Sequence, residues 1–216
     1  MLTFVDTLDL SMRRPVKKPV RRRQPTQERA RETVNAILDA VIRLLKRSGA
    51  SAITTNSVAE AAGVSIGSVY QYFPNKRAIL IALHERHIEQ VDQTLHQKIA
   101  ESAGEPLEAI VSRLIGGMIE AHAADPELAA LLDSEVPHRA DRGKEFSLRL
   151  HEPLRKALEP YAERLGGAAK LDLRAFLLAN MLEAFGHAVV LRRPRAVSQR
   201  YAGIEACRAI VAGLQS

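Results

Sequence analysis

The sequence predicts an all-α protein: an N-terminal three-helix domain with a helix-turn-helix, joined by a long helix to a second helical domain. Three observations predict it. Ala and Leu are plentiful, aromatics make up only 4% of 216 residues and Trp is absent, a composition that favours helices over sheets. Apolar residues recur at spacings of three and four along most of the chain, as in Val34, Ile37, Leu38, Val41, Ile42, Leu44 and Leu45. The stretch from Thr54 to Phe73 carries small or apolar residues at Val58, Ala59, Ala62, Val64, Val69 and Tyr72 around Gly63. That pattern suits two short helices crossing steeply over a tight turn.

The first 26 residues form a basic arm. Seven basic residues (Arg13, Arg14, Lys17, Lys18, Arg21, Arg22, Arg23) against Asp6 and Asp9 give +5 there, so the rest of the chain contributes about +1 of the total of +6. Pro15, Pro19 and Pro25 interrupt any helix, and the arm is expected to be disordered. It either follows a DNA backbone beside the main contact or is a solvated tail, in part a matter of start codon, since Met12 can begin a shorter protein.

A helix is expected from about Gln27 to Arg47, stopped by Gly49. In the reader unit, Ala59 allows close helix approach, and Gly63 can take the positive φ of a sharp turn. Val64 plugs the corner, and Ser65 caps the second helix. Thr54 or Thr55 caps the first, with Ser57-x-x-Glu60 a possible capping box. With Val69 and Tyr72 inward, Ser65, Ile66, Gly67, Ser68 and Gln71 line an outer face short enough to lie in a major groove. Tyr70, Tyr72 and Lys76 follow where hydroxyl and ammonium groups can hold phosphates. The plain alternative is an ordinary helical hairpin in a bundle core.

From about Arg31 to Ile88, and most specifically in Ala-Gly-Val-Ser followed by Gly-Ser-Val-Tyr-x-Tyr-Phe-x-Asn-Lys, the chain resembles the DNA-binding domain of TetR-family transcriptional regulators. The resemblance implies that residues 27–82 form that domain, with Thr55, Ser68, Tyr70, Tyr72 and Lys76 on phosphates. It places Asn56, Ser65, Ile66, Gly67 and Gln71 at base edges. It further implies that residues 83–216 form a C-terminal ligand-binding and dimerisation domain.

The connecting helix is expected to begin at Pro74, with Asn75 and Lys76 in its first turn, and to reach Ala100. At 1.5 Å per residue it is about 38 Å long, enough to link DNA to a second domain. Helices follow over Leu107–Ala123 and from Pro126 to near Ser134. Val136 to Arg142 reads as irregular. The next helix, from Gly143 to Leu165, is expected to bend or split at Pro153 and Pro160. Leu171–Leu191 and Val197–Leu214 complete the chain.

The last two helices carry the expected two-fold dimer interface, through Phe176, Leu177, Asn180, Met181 and Phe185 and the small-residue face of Ala206 and Ile210. Candidate pocket residues, chosen by helix face, are Met118, His122, Phe146, His151, Phe176, Glu183 and His187. A small, largely apolar effector there is expected to release a palindromic operator. The alternative is a constitutive or architectural DNA-binding protein whose C-terminal domain only dimerises. An internal cavity of roughly 300 Å³ would favour the effector.

No cofactor and no metal are expected. His84 and His87 stand one turn apart with His96 further along, but no cysteine or carboxylate set completes a site. An enzyme is not expected either, since no strand–turn–helix is present to hold a nucleophile elbow or a phosphate loop. The single cysteine, Cys207, precludes an internal disulfide and suits the cytoplasm. No signal peptide is read at the start, and Asn180, Glu183 and His187 interrupt the most apolar stretch, so no membrane span is expected.

Overall fold

The computed structural model describes residues 25–136 and 140–216. The basic arm up to residue 24, and His138, lie outside the described residues. Among those described there are nine α-helices and no strand. They are α1 (Pro25–Ser48), α2 (Thr55–Ala62), α3 (Ile66–Tyr72), α4 (Lys76–Glu101), α5 (Leu107–Ala123), α6 (Pro126–Glu135), α7 (Ala140–Leu158), α8 (Leu171–His187) and α9 (Gln199–Gln215). A π-helical turn, Ala188–Arg192, extends α8.

Local chemistry sets most of the boundaries. Glu28 in the first turn of α1 and Lys46 and Arg47 in its last suit the helix dipole. Thr54 caps α2, and its box partner is Ser57 rather than the Ser57–Glu60 pair: Thr54 Oγ1 accepts from Ser57 N while Ser57 Oγ accepts from Thr54 N. Gly63 ends α2 in the left-handed region, φ 69°. Asn75 precedes the long helix as its cap, accepting from Ala78 N at 2.9 Å, so α4 starts at Lys76 and not at Pro74. Asp125 caps α6 just before Pro126.

The expected split of the next helix falls at its second proline. α7 starts at Ala140, earlier than Gly143, and runs through Pro153. It ends at Leu158, because the residue before Pro160 is disfavoured in the α region; short 3₁₀ turns follow to Gly166 and Gly167.

Two apolar cores result. The first joins α1, α2, α3 and the start of α4 through residues such as Ile37, Val41, Val58, Val69, Leu80 and Leu83. It also takes Leu128, Leu131, Leu132 and Val136 from α6 and its C-terminal end. The second joins the far half of α4 to α5, α7, α8 and α9 through Leu95, Leu114, Leu150, Leu154, Leu178 and Ile210. α4 therefore belongs to both cores. Arg86 to Asp39 (2.8 Å) ties α4 to α1, and Lys46 to Asp125 (2.9 Å) ties α1 to the start of α6.

Residues Ala168–Arg192 have the length and mean hydropathy (1.3) of a membrane-crossing helix. In the protein this stretch is a wall of the second core, with Leu171, Ala175, Leu178, Ala179 and Leu182 buried. Arg174 is also buried, donating to the carbonyls of Leu165 (3.2 Å) and Gly213 (3.4 Å). That burial marks a helix packed in protein.

Candidate functional site

The reader is built from the cap outward. Ser65 Oγ accepts from Ser68 N at 3.0 Å and lies 2.8 Å from Ser68 Oγ. The start of α3 is thereby fixed, and both hydroxyls already have a local partner. Val69 is fully buried and Phe73 nearly so, which anchors α3 on the first core with Tyr72 half-buried beside them. The opposite face is left to solvent: Asn56, Ser65, Ile66, Gly67 and Gln71 are exposed. Tyr70 is 52% exposed, with its hydroxyl 3.3 Å from Thr55 Oγ1. Lys76, the first residue of α4, sits half-exposed. The ten residues expected at DNA thus fall on α2, α3, the α3 cap and the first residue of α4, and no other described residue buries the exposed ones among them. Arg43 braces the unit from behind by donating to the Ala61 carbonyl at 2.8 Å.

Gly63-Val64-Ser65-Ile66-Gly67 spells the Gly-x-Ser-x-Gly of a nucleophile elbow. Here it joins two helices instead of a strand and a helix, and its serine is a helix cap. It is a turn, not a catalytic elbow.

The second feature is a partly open cavity of about 40 Å³ lined by five helices. α4 contributes His84, His87, Ile88 and Val91; α5 gives Met118 and His122; α6 gives Ala129, Leu132 and Asp133; α7 gives Phe146; α8 gives Glu183 and His187. This space takes about three water molecules. It is well short of the roughly 300 Å³ of a preformed small-molecule site, so a drug-sized ligand must widen it. Beside the cavity, a Cβ at Gly186 would lie 2.1 Å from Met118 Cγ, so glycine there lets α8 approach α5 this closely.

Five of the seven expected pocket residues line the cavity: Met118, His122, Phe146, Glu183 and His187. His151 and Phe176 do not. His151 is five residues beyond Phe146, about 140° around the helix, and meets the start of α8 with Nε2 3.2 Å from the Asp172 carbonyl. Phe176 shares a stripe with Glu183 but lies about 10 Å earlier along α8 and is 51% exposed. Sequence reasoning missed the α6 residues, because a short helix with no assigned neighbour offers no face to choose. It treated His84 and His87 only as a pair with His96, which stands apart with Nδ1 2.8 Å from the Asp92 carbonyl.

Histidines dominate one side of the cavity. His122 Nδ1 lies 2.8 Å from the Met118 carbonyl oxygen, which can only accept, so that nitrogen carries a proton. Neutral His122 therefore presents a lone pair at Nε2, 2.9 Å from His187 Nε2, which donates to it. His187 Nδ1 is 4.0 Å from Asp133 Oδ1, and Asp133 also pairs with Arg192 at 3.3 Å. The His87 ring stands edge-on to His122 with centroids 5.1 Å apart, and its buried Nε2 has no hydrogen-bond partner. Burial, then the neighbouring His122 and His84, lower the His87 pKa from 6.5 to about 4, against a smaller opposing pull from Asp125. His87 is neutral at neutral pH.

The expected dimer surface is partly present. Phe176 is exposed, with Leu173 on α8 and Tyr201 and Ile204 on α9 as further large exposed apolar residues. Leu177, Met181 and Phe185 are half-buried and already packed on their own core, and Asn180 donates to Ser147 Oγ at 2.9 Å. Ala206 (4% exposed) and Ile210 (0%) are corrections: they face the protomer's own core and cannot meet a partner. Periodicity identified their shared face, but not which neighbour covers it.

Comparison with known proteins agrees with this architecture. Residues 37–83 match the family model of bacterial regulatory proteins of the tetR family. Residues 106–213 match the tetracyclin repressor-like C-terminal domain. The chain is 31% identical over 88 residues to the transcriptional repressor KstR of Rhodococcus jostii, covering 41% of this chain and 42% of that one. It is 26% identical over 167 residues to the transcriptional regulator AcrR of Shigella flexneri, covering 77% and 76%. The match thus spans less than half the length of KstR. A TetR-family regulator from Pectobacterium atrosepticum superposes with a TM-score of 0.67 at 17% identity, over 89% of this chain and 98% of the other. FadR of Bacillus subtilis, solved with stearoyl-CoA, gives 0.59 at 19% identity, over 84% and 97%. The exposed reader, the long shared helix and both matched domains agree: the chain belongs to the TetR family of transcriptional regulators.

Proposed function

We propose that the protein is a cytoplasmic homodimeric repressor that binds a palindromic operator and leaves it when a small molecule occupies the cavity between α4 and α8. The observation that carries this reading is the position of α6. One face of α6 lines the cavity through Ala129, Leu132 and Asp133. The other packs into the reader's core through Leu128 and Leu131, with Leu132 reaching both. The cavity is partly open and has room for about 40 Å³, a few waters, so a larger ligand must displace the side chains or helices that line it. Displacement of α6 or α4 moves the reader directly, and in a dimer it changes the separation of two reader helices from the roughly 34–36 Å of one duplex turn.

The relatives named as repressors support repression as the sense of control. An effector suited to the lining has a polar group for the histidine side and an apolar body for Val91, Met118 and Phe146. A coupling of about 1–3 kcal/mol weakens operator binding about 5–150-fold, and operator must weaken the effector by the same factor. The test is a thermal-shift screen of small molecules, followed by operator titration with and without each hit. Hits that bind the cavity yet leave operator affinity unchanged would refute effector release.

A further inference from the structure

Among the histidines of the cavity, His87 is set apart by its hydrogen bonding. His122 has both ring nitrogens engaged: Nδ1 donates to the Met118 carbonyl at 2.8 Å, and Nε2 accepts from His187 Nε2 at 2.9 Å. His87 lines the same space, edge-on to His122 with ring centroids 5.1 Å apart, and its Nε2 is buried without a hydrogen-bond partner in the protein. A polar atom buried in this way is unfavourable until something bonds to it. We propose that His87 is the anchor for the effector, and that the effector is an uncharged molecule carrying a hydroxyl group, an alcohol or a phenol, on an apolar body. The proposal rests on the effector reading above for treating the cavity as a ligand site, and adds the chemistry the ligand must carry.

The position of His87 places the body of the ligand as well. His84, His87, Ile88 and Val91 all line the cavity and follow one another at three and four residues, so they share one face of α4. Val91 lies about 6 Å along the helix from His87, and Met118 of α5 and Phe146 of α7 extend the apolar lining. A hydroxyl held at His87 puts the adjoining carbons against these side chains. The Nε2 atom is closed to solvent as well as unpartnered, so the hydroxyl reaches it only as the lining is displaced. That is the same widening any ligand larger than a few waters requires.

The surroundings of His87 exclude a charged head group. Burial first, then His122 and His84, lower its pKa to about 4, with Asp125 pulling the other way. A setting that keeps a proton off this imidazole also disfavours an ammonium bonded to it. A carboxylate must either be buried as an ion, or draw a proton onto His87 and be buried as half of an ion pair; both lose the hydration of full charges. A hydroxyl avoids that loss. It donates and accepts, so it bonds Nε2 in either tautomer of neutral His87, whereas a ketone suits only the tautomer with a proton on Nε2.

His87 is also where a ligand has leverage. Leu83, one turn before it, is the last α4 residue buried in the first core, and Val91, one turn after it, is the first buried in the second. A bond made at His87 acts on the stretch of α4 between the two.

The test uses the full-length protein without DNA and a matched set of probes: phenylalkanols of graded chain length, with the corresponding alkylbenzenes, phenylalkanoates and phenylalkylammonium ions, titrated by isothermal calorimetry. The expected order is alcohol over hydrocarbon by roughly tenfold, with the carboxylate and the ammonium weaker than both. In His87→Leu the hydroxyl should lose its advantage while the hydrocarbon binds at least as well. The unliganded variant should melt no lower than wild type, because the unpartnered Nε2 is gone. His87→Gln keeps a group that donates and accepts, and should retain part of the preference; with the wild-type order it decides the matter if His87→Leu does not fold. A carboxylate or ammonium that binds more tightly than its alcohol, a hydroxyl preference unchanged in His87→Leu, or no binding by any member overturns the proposal. Operator is then titrated into the alcohol complex. Undiminished DNA binding there refutes effector release and leaves the anchor standing, whereas failure of the probe series leaves release by another chemistry intact.

Discussion

Tyr70 and Gln71 are adjacent in the chain and have different surroundings. Tyr70 leans back towards α2, its hydroxyl 3.3 Å from Thr55 Oγ1, whereas Gln71 projects from the open face of α3. Tyr70→Phe and Lys76→Ala are expected to weaken operator and random DNA alike, since phosphates carry no sequence. Gln71→Ala is expected to relax discrimination at one base pair by about 1–3 kcal/mol if it makes a bidentate contact. Fluorescence anisotropy against an operator and its single-base variants distinguishes these, and equal losses on every sequence for Gln71→Ala would remove it from base reading. The residue scale was also where the sequence was most legible. Gly63 and Ser65 act through backbone conformation and local hydrogen bonds, which depend on neighbours a few positions away. The histidine cluster was not legible, because His87, His122 and His187 are brought together by the packing of three helices.

At the scale of elements, α8 and α9 combine a buried face with an exposed apolar one. Met181 and Phe185 already serve the protomer's own core, so charging them tests folding as much as pairing. Leu173, Phe176, Tyr201 and Ile204 are the cleaner probes. Phe176→Arg is expected to keep native helicity by circular dichroism, to lower the melting temperature only by the stabilisation lost with the partner, to shift sedimentation from dimer to monomer and to reduce operator binding sharply. A dimer persisting in Phe176→Arg with Ile204→Arg would place the interface elsewhere. Helix number and order were readable from hydrophobic periodicity; the exact ends of α7 and the π-helical turn after His187 were not. Those depend on how Pro160 and the surrounding core divide the backbone hydrogen bonds, which no local pattern encodes.

At the scale of the whole molecule, the two cores share α4 and are bridged by α6. One cooperative thermal transition is expected for the full chain. A fragment of residues 25–101 retains α1 to α4 but loses Leu128, Leu131, Leu132 and Val136 from its core. At about 1.5–3 kcal/mol per buried side chain, that loss is comparable to the 5–15 kcal/mol stability of a whole domain. The fragment should be largely unfolded by circular dichroism, and a sharp independent melt would show that the first core is self-sufficient.

The same helix limits how this protein can be recombined. Cutting within α4 and splicing the reader onto a foreign sensor leaves an apolar hole where three leucines and a valine had been, and discards Asp125, the partner of Lys46. A working chimera would need to carry α6 across the junction or rebuild its inner face in the new host. The transplantable unit is therefore discontinuous in sequence: residues 25–101 together with residues 125–136, which lie beyond them.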